Sequence, residues 1–314
     1  MAWAALLATV LQIIMIFWLR PRGLSTRPGF RGLSRVLRFG ALTALTDVVR
    51  VGDKGAPDVV LGRAMGMAEV AFFSRATGLV DLFNRMIIEA VAYVALPHFA
   101  VKVRAGEDVA QAYLRAVTLL TGLSWPFFVW LAAVAPTVVL LLYGDQWLTS
   151  VVLVQILCAG ELLLAPFQLV DQVLIAQGKI RLETVRIASM LGIRLLPLVL
   201  LTPQGLETVA LGYAAANLLV VIVSMYIMRQ HMGISPRELA KALVPSGGAL
   251  LLAGGVVGSI SFALPPDLAT GWWGLGIFSV AIALATMIAH RLSRHPLLDE
   301  LIRFWHSTRA WRQT

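Results

Sequence analysis

The chain has 314 residues and a mass of 34.0 kDa; it is 59% apolar and 14% charged, and its mean hydropathy is +0.81. A soluble globular domain averages roughly 45–50% apolar and about 25% charged residues. A water-soluble protein of this size could not bury so much apolar surface, so the composition argues against a globular cytosolic enzyme and predicts an all-α polytopic membrane protein. The single cysteine, Cys158, lies in an apolar run, which excludes a disulfide framework and a cysteine-based metal site.

Apolar stretches of about 20 residues predict nine transmembrane helices. The second stretch is the weakest, because five ionisable residues interrupt it. Pro126, Pro166 and Pro197 fall inside spans and predict kinks whose freed carbonyls are satisfied locally. The predicted spans are residues 1–19, 39–61, 70–97, 116–142, 150–176, 187–202, 207–228, 243–264 and 272–290.

Basic residues between the spans fall on alternate loops. Five segments contain 20 of the 26 Lys and Arg, whereas the four turns between them contain only Arg63. An excess of Lys and Arg marks cytoplasmic loops, so the pattern predicts a cytoplasmic C-terminus and, with nine spans, an N-terminus outside. The formal charge of +9 therefore reports membrane topology and gives little support to nucleic-acid binding. The basic segments are residues 20–38, 98–115, 177–186, 229–241 and 291–314.

Two patterns predict short helices on the cytoplasmic side. Ser235, Pro236 and Glu238 form a capping box with proline at the first helical position, which predicts a helix that leads into the eighth span. The tail places apolar side chains at helical spacing among arginines, as an amphipathic helix at the inner leaflet would. The apolar positions of the tail are Leu297, Leu298, Leu301, Ile302 and Trp305.

The second span carries a charged stripe. An Arg, Lys or Asp at the centre of a membrane helix costs roughly 2.5–3.5 kcal/mol, so such a face should contact protein or an aqueous cavity. At 100° per residue, four charged residues of this span fall within an arc of about 80°. They are Asp47, Arg50, Lys54 and Asp58. One interpretation is a salt-bridge ladder, and the other is the wall of a solvated transport cavity, which we favour because four charges exceed what packing requires. The ladder would join two couples, Arg50 with Asp47 and Lys54 with Asp58.

Acidic residues mark the third and fifth spans. Asp81, Arg85 and Glu89 follow one another at four-residue spacing on one helix face. They form either an internal ion-pair cluster or part of a proton or substrate path. Glu161 has no basic neighbour one turn away and is a candidate protonatable coupling group; the alternative is that it lies near the outer surface in contact with water. Asp171 lies at the edge of the same stripe.

Arg194, in the sixth span, has no acidic residue within a helical turn. Such an arginine needs an anionic partner from another helix or from a ligand, unless its long side chain snorkels to the interface. The sequence contains no phosphate-binding loop, no histidine cluster with ligand spacing and no serine-hydrolase elbow. We therefore expect no metal, no cofactor and no enzymatic activity, and any transport would draw on an ion gradient, a membrane potential or a downstream sink.

Five motifs occur in a characteristic order along the first half of the chain. They are Asp58, the Leu-Gly-Arg of Leu61–Arg63, the aromatic-Ser-Arg-Ala of Phe73–Ala76, the Leu-Pro-x-Phe-Ala of Leu96–Ala100 and the Gly-x-x-Trp turn of Gly144–Trp147. This order resembles that of polysaccharide transporters. These are the Wzx-type lipid-linked oligosaccharide flippases of the MATE-like multidrug/oligosaccharidyl-lipid/polysaccharide superfamily.

The resemblance implies an all-α transporter with two six-helix lobes, often two further helices, cytoplasmic termini and a cationic central cavity with alternating access. It implies a polyprenyl-pyrophosphate-linked oligosaccharide as substrate, flipped across the bacterial inner membrane for lipopolysaccharide or exopolysaccharide synthesis. Membrane lipid and, further, a polysaccharide polymerase and export machinery are the partners implied.

Aligned with the family, the chain is a carboxy-terminal portion, and we expect it to be incomplete as a transporter on its own. Residues 1–19 correspond to the last helix of a truncated amino-terminal lobe, and residues 20–38 to a basic cytoplasmic linker. The six-helix carboxy-terminal lobe covers residues 39–230, an additional helix pair 231–290, and the cytoplasmic amphipathic tail 291–314.

A pyrophosphate group needs Arg or Lys donors in a dry site. From their membrane depth, our hypothesis assigns Arg50, Lys54, Arg85 and Arg194 to substrate binding, and Asp47, Asp58, Asp81, Glu89, Glu161 and Asp171 to coupling or ion pairing. The alternatives are a cation-coupled multidrug exporter, whose cavity should contain mainly acids, and a non-transporting fragment or assembly partner. A membrane glycosyltransferase or polymerase would need a sizeable catalytic loop, and the short outer turns argue against it.

Overall fold

The computed structural model describes residues 7, 9–12, 14, 15, 18, 33–263, 265, 271–298 and 300. It divides into two compact units, Met1–Ala41 and Leu42–Thr314. In the first unit, the described residues up to Trp18 are helical. The rest of the predicted first span, and residues 20–32 of the predicted linker, lie outside the described residues. Residues 33–38 of that linker already belong to a helix.

Between Leu33 and Leu292, the described residues form ten α-helices, and the predicted second to ninth spans fall on these helical segments. A π turn, Asn84–Ile88, joins α2 to α3 without a break in the helical path, and 3₁₀ turns occur at Asp145–Trp147, Ala165–Phe167 and Thr202–Gln204. The helices are α1 Leu33–Ala64, α2 Met67–Phe83, α3 Glu89–Ala105, α4 Val109–Tyr143, α5 Thr149–Leu164, α6 Val170–Ala176, α7 Ile180–Leu200, α8 Leu206–Met232, α9 Pro236–Ala263 and α10 Trp272–Leu292.

In the part of the chain that the structure describes, six helical segments are long and apolar enough to cross a membrane, by length and composition. The all-α, multi-pass membrane class is therefore confirmed, and the described residues contain no strand. Helices α1 and α7, of 32 and 21 residues, carry the charged side chains described below. The count of nine spans and the orientation of the termini stay predictions. The six segments are Met67–Ala105, Val109–Tyr143, Thr149–Ala176, Leu206–Met232, Pro236–Ala263 and Trp272–Leu292.

Local side-chain signals set the helix ends. Gly106 ends α3 in the left-handed region with φ 69°, which a residue without a Cβ adopts at little cost. The Asp108 carboxylate accepts a 2.8 Å hydrogen bond from the Ala110 amide at the start of α4. At α9 the predicted capping box is confirmed: the Ser235 amide donates to Glu238 Oε2 at 2.7 Å, and the Glu238 amide donates to Ser235 Oγ at 3.3 Å.

Pro166 interrupts the path from α5 to α6. Because proline has no N–H, the Leu162 carbonyl four residues earlier has no helical donor. Trp125 Nε1, from α4, donates to that carbonyl at 2.9 Å, and the Tyr113 hydroxyl donates to the Pro166 carbonyl at 2.8 Å. The predicted kink is therefore stabilised by aromatic side chains of a neighbouring helix.

Three apolar clusters hold the described helices together, and the two larger ones lie among the helices that precede α9 and at its start. One forms around Phe73, Phe128 and Leu153 of α2, α4 and α5, which are fully buried. The other surrounds the buried Tyr113 and Met228 and joins α4 to α8. Because lipid is as apolar as these side chains, close van der Waals packing between them, and not removal from water, holds together the helices that carry the polar residues of the site.

His295 anchors the segment after α10 to α4 and α9. The Leu297 amide donates to its Nδ1 at 3.1 Å, and its Nε2 lies 3.0 Å from Ser246 Oγ on α9. Gly122 of α4 makes room for the ring, because a Cβ there would lie 2.5 Å from His295 Cε1. Residues 296–298 and 300 of the predicted amphipathic tail are helical. The remainder of that tail, including Leu301, Ile302 and Trp305, lies outside the described residues.

Candidate functional site

A polar cavity of about 530 Å³ lies among the long helices of the second unit. Its wall is built from α1, α2, the π turn, α3, α5, α6, α7 and α8. The charged residues of the wall are five bases and six acids, which give a formal charge of −1. The cationic cavity implied by the family resemblance is therefore not what these side chains form. They are Arg50, Lys54, Arg85, Arg186 and Arg194, and Asp53, Asp58, Asp81, Glu89, Glu161 and Asp171.

Nine of the ten site residues predicted from the sequence line this one cavity. The exception is Asp47, which is exposed and is absent from the wall. Glu161 is among these nine and therefore faces the cavity inside the bundle. Sequence spacing thus identified most of the charged residues of the wall, although it did not reveal how the charges are paired.

Arg50 belongs to an ion-pair network between α1, α6 and α7; its own side chain is 43% exposed, whereas its acidic partners are largely buried. Its guanidinium lies 3.6 Å from Asp171 Oδ2 and 3.5 Å from Glu183 Oε1. Glu183 is fully buried and also accepts two hydrogen bonds from Arg186, at 2.9 and 3.0 Å. The predicted pairing of Arg50 with Asp47 is wrong, because acids of two other helices take that place.

Arg194 forms a second network that joins α7 to α1 and α8. Its Nη1 donates to Asp53 Oδ2 at 2.8 Å and its Nε donates to Asn217 Oδ1 at 3.2 Å. Its guanidinium carbon lies 5.3 Å from the centre of the Tyr213 ring. The side chains of Arg194 and Asp53 are 11% and 15% exposed, so this is a nearly buried pair. The anionic partner that we expected for Arg194 is therefore Asp53 of α1.

Gly160 allows α5 and α8 to approach closely beside this network. A Cβ at Gly160 would lie 2.9 Å from Asn217 Nδ2 and 3.3 Å from Ala214 Cα. The position of Asn217, and through it that of Arg194, therefore depends on the absence of a side chain at residue 160.

Two bases of the wall have no ion pair. Lys54 and Arg85 are exposed to the cavity, and no carboxylate among the described residues forms a salt bridge with either. The predicted Lys54–Asp58 pair does not form, as is common for exposed side chains, whose pairing gains little free energy. Asp81, Arg85 and Glu89 do not form an ion-pair cluster either, since the π turn alters the four-residue spacing between them.

Several acceptor atoms of the wall are buried and unpartnered. Asp53 Oδ1, Gln168 Oε1 and Gln172 Oε1, together with the Ser224 hydroxyl, have no hydrogen-bond partner within the described part of the chain. A buried acceptor without a donor costs about 1–3 kcal/mol. A ligand that supplies hydroxyl donors would remove that cost. On the same wall, Gln168 Nε2 donates to Asn84 Oδ1 at 3.1 Å and lies 3.5 Å from Glu161 Oε2.

The sequence did not identify five polar residues of these networks. Asp53 is about 60° away from the predicted stripe of its own helix at 100° per residue, and its link to Arg194 depends on a helix 141 residues distant in sequence. Only long-range packing could reveal it. The others are Glu183, Arg186, Tyr213 and Asn217. Among the described residues, no three His, Cys, Asp or Glu side chains are grouped to hold a metal ion.

The chain is similar in sequence to proteins of cell-surface polysaccharide biosynthesis and transport. Residues 1–152 match the model of a family described as "Polysaccharide biosynthesis protein". The chain is 23% identical over 149 residues to the teichuronic acid biosynthesis protein TuaB of Bacillus subtilis, covering 48% of this chain and 31% of that protein. It is 27% identical over 110 residues to the succinoglycan biosynthesis transport protein ExoT of Rhizobium meliloti, covering 35% of this chain and 22% of that protein.

The fold is similar to that of the lipid II flippase MurJ in its inward closed conformation. The TM-score is 0.67 at 12% sequence identity, over 91% of this chain and 60% of MurJ. At this identity the likeness concerns the fold alone. This chain thus spans less than a third of each of the two curated relatives and about three fifths of MurJ. These comparisons confirm the resemblance predicted from the sequence.

Proposed function

Taking as premise the polysaccharide flippase family that these matches support, we propose that this chain contributes one lobe of a transporter for lipid-linked oligosaccharide. The substrate is a polyprenyl-pyrophosphate-linked glycan that crosses the bacterial inner membrane. The observation that supports this most is the cavity wall, where two unpaired bases, Lys54 and Arg85, lie with unpartnered hydrogen-bond acceptors. In this proposal the chain takes part in transport and carries out no bond-making chemistry.

The two kinds of wall atom fit the two parts of such a substrate. Phosphate oxygens accept charge-assisted hydrogen bonds from Lys and Arg, and Lys54 and Arg85 have donors available. Sugar hydroxyls donate to carboxylate and amide oxygens, for which Asp53, Gln168 and Gln172 supply buried acceptors. A cavity with both is suited to a phosphorylated, hydroxyl-rich headgroup.

Arg50 and Arg194 have a different place in this proposal from the one predicted. Because both form ion pairs with carboxylates, they mainly hold α1 against α6 and α7 and offer only their remaining N–H groups to a ligand. The acids Asp58, Asp81, Glu89, Glu161 and Asp171 are the candidates for exchange of protons or cations during transport. A polysaccharide polymerase and export machinery would receive the flipped substrate.

The test is complementation in a bacterium that needs this protein for its surface polysaccharide. We expect the double variant Lys54→Ala/Arg85→Ala to lower polysaccharide export by about tenfold or more, since one lost charge-assisted contact corresponds to roughly a factor of ten. Membrane abundance should stay normal, because both side chains are exposed and unpaired. Arg85→Lys should retain part of the activity.

Arg104→Ala is the matched control. Arg104 is an exposed base whose Nε donates to its own helix at the Ala100 carbonyl, and it does not line the cavity. Export should be unchanged in this variant. Normal export by the double variant, at normal abundance, would contradict the assignment of the cavity as the substrate site. Arg50→Ala and Arg194→Ala are less decisive, because each leaves a carboxylate of the wall unpaired.

A further inference from the structure

Arg75 of α2 lies on the outside of the bundle, away from the cavity. Its neighbours Ser74 and Thr77 line the cavity, whereas Arg75 is exposed and does not. Exposed leucines follow on the same face of α2, at Leu82, and flank the nearby aromatic residues, at Leu142 and Leu148; they are 47%, 63% and 48% exposed. The turn that carries Trp147 also exposes the polar Asp145 and Gln146, as expected where a lipid-facing surface meets the headgroup layer. In a membrane protein, an apolar exposed surface of this kind faces lipid, so Arg75 is a charged side chain on the lipid-facing side.

Two aromatic rings hold the Arg75 guanidinium in place. Its central carbon lies 5.4 Å from the centre of the Tyr143 ring and 5.0 Å from that of Trp147. Trp147 is itself held edge-on by Phe72, with ring centres 5.5 Å apart. Side chains of a helix lean toward its N-terminus, and α2 begins at Met67, so Arg75 leans toward the end of the bundle where α4 ends and Trp147 follows.

No salt bridge joins Arg75 to a carboxylate among the described residues. An aromatic ring contacts a guanidinium through one of its two faces. The N–H donors, which lie in the guanidinium plane, therefore stay available for an anion. A charged group at the edge of the hydrocarbon region without a counter-ion is costly. The counter-ion of Arg75 therefore comes from outside this part of the chain.

We propose that Arg75, Tyr143 and Trp147 form a binding site for the headgroup phosphate of a membrane glycerophospholipid. A guanidinium matches two phosphate oxygens with parallel N–H donors. Tyr and Trp rings occur at the level of lipid headgroups, and the apolar residues around Arg75 supply a surface for acyl chains. This end of the bundle has the loops that are poor in Lys and Arg, so the positive-inside prediction places the site at the outer leaflet.

The orientation of Arg75 favours bulk phospholipid over the proposed transport substrate. A glycan-lipid in transit would present its phosphates to the cavity, and Arg75 lies on the other side of α2. The site is thus independent of the proposed flippase activity. It would fix the outer end of α2 and α4 in the headgroup layer.

Native mass spectrometry of the purified protein in detergent tests this site. Phosphatidylglycerol is titrated into the wild type and into Arg75→Gln, Arg75→Lys and Trp147→Leu variants. We expect the wild type to retain one tightly bound phosphatidylglycerol, with an affinity about tenfold lower in Arg75→Gln. Arg75→Lys should keep part of the affinity, because charge remains while the planar pair of donors is lost. Dioleoylglycerol, which has no phosphate, should not compete.

Arg63→Gln is the matched control. Arg63 is an exposed base in the last turn of α1, and neither a ring contact nor a salt bridge holds it among the described residues. Its phosphatidylglycerol affinity should equal that of the wild type. Equal affinities in Arg75→Gln and the wild type would overturn the proposal. So would a loss of affinity in Arg75→Gln for undecaprenyl pyrophosphate alone, because that would assign the site to the transported lipid.

Discussion

Trp125 replaces a backbone donor that proline removed. Its Nε1 donates to the Leu162 carbonyl, which Pro166 leaves without a helical partner. We expect Trp125→Phe to lower the free energy of unfolding by about 1–3 kcal/mol, because a buried carbonyl then has no donor. The measurement is thermal or denaturant unfolding of the purified protein in detergent.

Trp130→Phe provides the comparison. Trp130 Nε1 donates to Ser279 Oγ at 2.9 Å, and that hydroxyl also donates to the Leu275 carbonyl of its own helix at 2.6 Å. Its loss leaves no backbone group unpaired, so the destabilisation should be smaller. Equal losses in both variants would show that ring packing, and not the hydrogen bond to Leu162, accounts for the effect of Trp125.

The sequence predicted which residues share a helix face, but not which residues of other helices they contact. Helical periodicity places residues on a face, and it therefore identified Arg50, Lys54 and Asp58 as residues of one wall. It contains no information on which side chain of another helix lies opposite. For that reason Asp53, the partner of Arg194, was missed, and the partners of Arg50 were assigned wrongly.

At the scale of helices, His295 joins the end of α10 to α4 and α9, and this junction should depend on pH. Burial and, after it, the neighbouring His290 ring lower the pKa of His295 from its usual 6.5 to about 4. The folded state thus favours neutral His295, whose Nδ1 accepts a hydrogen bond from the Leu297 amide. Its contribution to stability is present above pH 6.5 and is lost as the pH falls toward 4.

The midpoint of thermal unfolding, measured in detergent from pH 7.5 down to about pH 4.5, tests this junction. We expect the wild type to lose stability on acidification, and His295→Gln to lose less over the same interval. His98→Gln removes an exposed histidine of α3 and should follow the wild type. An unchanged pH dependence in His295→Gln would contradict this assignment.

The positions of the helices were predicted more successfully than local departures from α-helical geometry within them. The helical segments were predicted because apolar length is a strong signal, and six of those described are long and apolar enough to cross a membrane. The capping box at Ser235 was predicted because it is local in sequence. The π turn at Asn84–Ile88 was not predicted, since nothing in the residue types distinguishes it from an α-helical turn. It separates Asp81, Arg85 and Glu89, which strict α-helical spacing would bring together.

For the whole molecule, the alternation of basic loops predicts which end of the bundle faces the cytoplasm. In a Cys158→Ala background, Gln146→Cys should react with a membrane-impermeant maleimide in intact cells. Glu107→Cys should react only after the membrane is opened, because its loop belongs to a basic segment. Both positions are exposed and the native cysteine is 2% exposed. Labelling of Glu107→Cys alone in intact cells would reverse the predicted topology.

The mixed charge of the cavity has a consequence for energetics. Five bases and six acids line the wall, so a diphosphate that enters adds negative charge to a space whose formal charge is already −1. In surroundings of low dielectric constant, accumulated charge of one sign is costly. The entering anion therefore binds more favourably with protons or small cations beside it. Electroneutrality would then tie each passage of the proposed substrate to the movement of protons or cations in the same direction, and the number of wall acids that exchange them would set the stoichiometry.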